Sequence, residues 1–105
     1  MSPLDVHVLF VDDDDSLREI TTMQLEAAGY RVTACNGGAA AIAAFEREPA
    51  DVVMTDLKMP DVDGIQVLRA IHRLDSDVPV IVATAFGSVD TAVAAMQAGA
   101  HDYVS

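Results

Sequence analysis

The feature that most constrains this chain is a repeated alternation of short apolar runs with longer amphipathic segments. Val6-His7-Val8-Leu9-Phe10-Val11 is a β-branched and aromatic run that stops at four aspartates, Asp12 to Asp15. Its near-continuous apolarity predicts a strand buried on both faces. Ser16 to Ala28 follows with helical periodicity: Leu17, Ile20, Leu25 and Ala28 share one face, and Glu19, Thr22 and Glu26 the other. Ser16 and Glu19 have capping-box spacing, and Gly29 stands where the helix should end.

The same alternation continues. Tyr30 to Ala34 predicts a second strand, followed by an Asn36-Gly37-Gly38 turn. Ala39 to Glu48 is an alanine-rich helix closed by Pro49, and Val52 to Thr55 is a third strand running into Asp56. Gly64 to Leu74 predicts a helix that packs through Ile65, Leu68 and Ile71, with His72 and Arg73 turned to solvent. Val78 to Ala83 predicts a fourth strand and Ser88 to Ala98 a fourth helix stopped by Gly99. Asp102 to Ser105 reads as the start of a fifth strand. Strand alternating with helix implies parallel pairing through right-handed crossovers. The expected fold is α/β, a doubly wound parallel sheet in one domain, 1–105, because this length supports one core and not two. The alternation stops on a strand, so the expectation is a C-terminally truncated domain whose last helix is missing from the chain. Apolar surface left uncovered there would promote self-association.

Composition removes several functional classes. Six Lys and Arg against seventeen Asp and Glu give a net charge of −11. That balance argues against direct nucleic-acid binding by this domain, which needs cationic side chains to displace phosphate counterions. It favours attraction to cations. A hydrophobic content of 51% is a folding composition and excludes disorder. Cys35, the only cysteine, cannot pair internally and reads as a small buried hydrophobe. No apolar run approaches bilayer length and Met1 to Asp5 carries no basic, hydrophobic leader, so no membrane association and a cytoplasmic location are expected. His7, His72 and His101 lack metal-ligand spacing and are expected to be structural or exposed. Met54, Met59 and Met96 sit in core-like settings. Asp61-Val62-Asp63-Gly64 invites a calcium-loop reading, which fails because Met59 and Ala70 stand where acids are needed. Asn36-Gly37-Gly38 lacks the lysine and hydroxyl of a phosphate loop.

Open parallel sheets bind ligands outside the carboxyl ends of their strands. The first strand delivers Asp12 to Asp15 there, the third Asp56, the fourth Thr84, and the fifth region Asp102 and Tyr103. If the first and third strands are neighbours, Asp12, Asp13 and Asp56 converge, and a proton or divalent cation must relieve their repulsion. An all-oxygen donor set suits Mg²⁺. A carboxylate beside such an ion can attack a phosphoryl group, and a hydroxyl such as that of Thr84 can donate to the phosphoryl oxygens. Solvated loop acids, a plain strand-end threonine and an edge-strand core tyrosine are the bland alternatives.

Val11-Asp12-Asp13-Asp14, Asp56-Leu57-Lys58-Met59-Pro60-Asp61-Val62-Asp63-Gly64, Thr84-Ala85 and Gly99-Ala100-His101-Asp102-Tyr103 together resemble the receiver domain of two-component response regulators. The resemblance spans essentially the whole chain. Thr84 to Ser88, with Thr91-Ala92-Val93 and Ala95-Met96, looks most like receivers of the nitrogen-regulation class, which precede an ATPase module and a DNA-binding module. The resemblance implies a flavodoxin-like strand order, 2-1-3-4-5. It implies that Asp56 is the phosphoacceptor for a sensor histidine kinase, in a switch that assists its own phosphorylation rather than an enzyme with external substrates. Asp13 and Asp56 would bind Mg²⁺ directly, Asp12 largely through water, and the Lys58 backbone carbonyl would complete the protein ligands. Thr84 and Tyr103 would be the coupled switch residues, and Ala85 the small residue beside the phosphoryl oxygens. Met59-Pro60 and Asp63-Gly64 would shape the loop after Asp56. The family's phosphate-binding lysine would fall just after Ser105, and Lys58 does not match that position. Partners implied are the kinase, the domain's own effector module for transcription regulation, and a second copy in a homodimer. The runner-up is a flavodoxin-like flavin-binding electron carrier; a third reading is a partner-binding domain with a vestigial acidic pocket.

Overall fold

Short β-branched runs become strands and the amphipathic segments become helices: β1 (His7–Val11), α1 (Asp15–Ala27), β2 (Arg31–Cys35), α2 (Gly38–Arg47), β3 (Val52–Thr55), α3 (Gly64–Leu74), β4 (Val80–Ala83), α4 (Val89–Gln97) and β5 (Asp102–Val104). The computed structural model describes residues 5–84 and 87–104. The strands pair in parallel in the order β2-β1-β3-β4-β5, as expected. Ala85 and Ser105 lie outside the described residues.

Burial alternates along the strands. Leu9, Val11, Val53, Thr55, Val80 and Val82 are at most 1% exposed and form one face with Phe45 of α2, Leu68 and Ile71 of α3 and Ala95 of α4. The opposite face is less covered: Met54, Ile81 and Ala83 are half-buried. Only β1, between β2 and β3, is buried on both faces as its continuous apolarity predicts. His7 shares that burial, and its Nε2 lies 2.7 Å from Thr33 Oγ1, a structural role.

The boundaries shift for local reasons. Asp14, not Ser16, caps α1: its backbone is extended and its carboxylate accepts the Leu17 N–H at 3.0 Å. The Ser16–Glu19 box therefore does not form, because the earlier aspartate starts the helix first. β4 begins at Val80 rather than Val78. Pro79 has no N–H for the ladder, although its carbonyl accepts the Val53 N–H at 3.0 Å. Gly29 and Gly99 take positive φ just past α1 and α4 and end them as expected. On α3, a capping box joins Asp63 and Gln66, and Val67 joins the expected Leu68 and Ile71 in the core while Ile65 is half-buried. His72 does not turn to solvent: its ring Nε2 donates to the Val78 carbonyl at 2.9 Å, tying α3 to the approach of β4.

The largest departure concerns α1. The face predicted to pack contains Leu17 and Ile20, yet these are 51% and 53% exposed, and no residue of α1 is buried. Periodicity identifies which face is apolar but not how completely it is covered: α1 packs on β1 and β2 with Leu25 half-buried and the Thr22 hydroxyl buried, and leaves Leu17 and Ile20 half open. Met96, expected in the core, is likewise 49% exposed on α4.

Candidate functional site

The site is assembled by the pairing of β1 with β3. Val11 stands opposite Thr55 in the ladder, and the Asp56 N–H donates to the Val11 carbonyl at 2.9 Å. The residues that follow each strand therefore leave the sheet side by side. The carboxylate oxygens of Asp12, Asp13 and Asp56 lie within 4.8 Å of one another. Asp12 is buried, Asp56 half-buried and Asp13 exposed, so the cluster faces an open cleft rather than a closed cavity. The cleft, about 680 Å³, is also lined by Lys58, Thr84 and the apolar Phe10, Leu17 and Met54.

Backbone contacts hold the acids. The Asp12 N–H donates to the Cys35 carbonyl at 3.1 Å and its carboxylate accepts the Asp14 N–H at 2.9 Å. One Asp56 oxygen accepts the Leu57 N–H at 2.8 Å. Arg18, one turn into α1, donates to the Asp12 carbonyl at 2.9 Å and to the Asp15 carboxylate at 2.7 Å, fastening the acidic loop to its helix. Burial pushes the Asp12 carboxyl above its ordinary range, against the opposing Asp14 hydrogen bond, and the charges of Asp56, Asp13 and Asp14 push it further. A converging all-carboxylate set whose most buried member resists ionisation is a site that a hard divalent cation would stabilise. The donors fit such an ion.

Of the other predicted residues, Thr84 is 6% exposed at the end of β4, on the far wall of the same cleft. Tyr103 is half-buried on β5 and does not line the cleft. Its hydroxyl lies 2.9 Å from Thr91 Oγ1 on α4. The ring passes so close to Gly87 that a Cβ there would meet the hydroxyl at 2.0 Å. Lys58 lines the cleft with an exposed side chain. Cys35 is buried, which raises its thiol pKa and suits the inert role expected of it.

The contacts of three residues escape the sequence reading: Arg18, Asp61 and Thr91. For Arg18 the three-residue spacing from Asp15 is a legible signal. Asp61 and Thr91 bond across gaps of 22 and 12 residues, which no local pattern announces.

The response regulator receiver domain family matches residues 8–105. Matching curated proteins include regulators of the nitrogen-regulation type, GlrR, ZraR and AtoC among them, alongside others such as CseB of Streptomyces coelicolor. GlrR of Escherichia coli K12, a transcriptional regulatory protein, is 37% identical over 105 residues, which is 100% of this chain and 24% of the relative. The chain thus spans about a quarter of that protein's length. Among solved structures, a response regulator receiver domain protein from Clostridium thermocellum superposes with a TM-score of 0.89 at 31% identity, covering 94% of this chain and 80% of that one. A CheX–CheY–BeF3–Mg²⁺ complex from Borrelia burgdorferi superposes with a TM-score of 0.88 at 25% identity, covering 94% and 76%. No described helix is long and apolar enough to cross a membrane.

Proposed function

The chain belongs to the response regulator receiver domain family, and from that premise we propose that it is switched by phosphorylation of Asp56, with the whole of residues 1–105 acting as one receiver. The observation that carries this reading is the convergence of Asp12, Asp13 and Asp56 at the ends of adjacent strands. The Leu57 N–H orients one oxygen of Asp56 and leaves the other as nucleophile. That oxygen attacks the phosphorus of a phosphohistidine on a sensor kinase. The O–P bond forms, the P–N bond breaks, and the imidazole departs and takes up a proton. Asp13 and Asp56, with Asp12 through water and the Lys58 carbonyl, would hold Mg²⁺, which neutralises the phosphoryl oxygens during transfer. The Thr84 hydroxyl donates to those oxygens, and Tyr103 leaves Thr91 as its burial changes. The similarity of the chain to the Borrelia CheX–CheY–BeF3–Mg²⁺ complex supports this chemistry by likeness.

The domain is accordingly a phosphoacceptor in the cytoplasm, not an enzyme acting on external substrates. Its output would pass through an effector module for transcription and a homodimer. The flavin-carrier alternative is disfavoured: four aspartates, Asp12 to Asp15, follow β1 where a flavin phosphate would need hydroxyl and amide donors, and the chain has no tryptophan to stack on the ring. Intact mass after incubation with a small phosphodonor tests the reading. One phosphoryl group should be gained only with Mg²⁺, and none by Asp56→Asn. Labelling that persists in Asp56→Asn, or a wild-type chain that gains nothing with Mg²⁺, would overturn it.

A further inference from the structure

The loop between β3 and α3 carries Lys58 into the cleft, and it is pinned at both ends. At its base the Gly64 N–H donates to the Leu57 carbonyl at 2.8 Å. That closure is so tight that a Cβ on Gly64 would meet the Asp56 carbonyl oxygen at 2.3 Å. At its tip the loop meets the start of α2. The N-cap of that helix, Gly37, supplies no side chain to the unpaired amides of the first turn. Asp61 supplies it instead, from 23 residues beyond the first residue of the helix. Its two carboxylate oxygens accept the Gly38 N–H at 3.3 Å and the Ala39 N–H at 3.1 Å.

Two glycines permit this approach. A Cβ on Gly37 would come within 3.3 Å of both Asp61 oxygens, and one on Gly38 within 2.7 Å of Val62. Asp61 is ionised at neutral pH, because the backbone donors, Ala39 first, hold its carboxyl below the usual range. Just before Gly37, at the end of β2, the Cys35 carbonyl accepts the Asp12 N–H at 3.1 Å. The turn at residues 36–38 therefore joins the two acidic loops: it touches Asp12 through Cys35, and the Lys58 loop through Asp61.

We propose that Asp61 is a positioning residue for the Asp12–Asp13–Asp56 site, clasping the Lys58 loop to the start of α2 so that the ligands of the metal and the phosphoacceptor keep their relative placement. The proposal rests on the metal-dependent phosphoacceptor reading above. Its effect is exerted through the backbone, since Asp61 does not itself line the cleft.

The test compares the wild-type chain with Asp61→Ala and Asp61→Asn in three measurements: Mg²⁺ affinity by calorimetry, amide hydrogen exchange without metal, and phosphorylation rate with a small phosphodonor. Asp61→Ala should expose the Gly38 and Ala39 amides to exchange, weaken Mg²⁺ about tenfold, and slow phosphorylation. Asp61→Asn retains an oxygen acceptor and should fall between the two. Loss of amide protection and of thermal stability in Asp61→Ala, with Mg²⁺ affinity and rate within twofold of wild type, would reduce Asp61 to a structural cap and overturn the proposal. So would an Asp61→Asn variant as impaired as Asp61→Ala but with its Gly38 and Ala39 amides still protected, because the lost charge would then be the cause. A wild-type chain that binds no Mg²⁺ would instead sink the functional reading itself, while the exchange data would still report the clasp.

Discussion

Asp12 shows how a single residue can be held against its own stability for the sake of a site. It is 8% exposed and faces two other carboxylates within 4.8 Å. Its folded carboxyl is raised above the unfolded value of 3.8. Between those two values the folded state binds the extra proton, so stability falls as pH rises through that window and stays lower above it. Asp12→Asn keeps an oxygen for the Asp14 N–H and removes the charge. The variant should therefore unfold at a higher temperature than wild type at pH 7 without metal. That gain should vanish below the ordinary carboxylate range, where Asp12 is protonated in both states. Thermal unfolding across pH checks this, and a variant less stable than wild type at pH 7 would contradict it. The acids themselves are legible as strand-end residues; the burial that raises Asp12 is not, because it depends on Cys35 and β2 folding beside it.

Helices that look alike in sequence differ in how much their apolar faces contribute. α3 buries Val67, Leu68, Ala70 and Ile71, whereas α1 has no fully buried residue. Leu68→Ala should cost about 3 kcal/mol, since it opens a cavity in a close-packed face. Leu17→Ala, at a position already 51% exposed, should cost less than about 1 kcal/mol. Urea unfolding of the two variants measures the contrast, and equal losses would mean that the α1 face is covered in solution. Element ends are most legible where a backbone rule acts alone. Gly29 and Gly99 stop helices through their positive φ, and α3 runs from Gly64 to Leu74 as predicted. They are least legible where two signals compete, as when Asp14 outruns Ser16 as the cap of α1.

Across the molecule, a net charge of −11 makes the folded state self-repelling. Simple salt should raise the unfolding temperature by screening, and the gain should be modest and shared by all ions of equal strength. MgCl2 should raise it further than NaCl at matched ionic strength, because binding to the folded cluster adds a mass-action term. That excess should disappear in Asp13→Asn and Asp56→Asn. An equal response to both salts in the wild-type chain would show that the acids act only as a diffuse field. The same acidity disfavours direct contact between this domain and nucleic-acid phosphates.

The sequence by itself determined the element types, the parallel sheet and the identity of the acids, because hydropathy period and strand-end polarity are local properties that neighbouring residues impose. Tertiary structure alone decided which strand ends meet. The β1–β3 pairing converts acids more than 40 residues apart into one cluster. It also decided that Tyr103 reaches Thr91 and that Asp61 caps a helix begun 23 residues earlier. Each of these is a meeting of distant residues, and its energy depends on surroundings that no window of sequence contains.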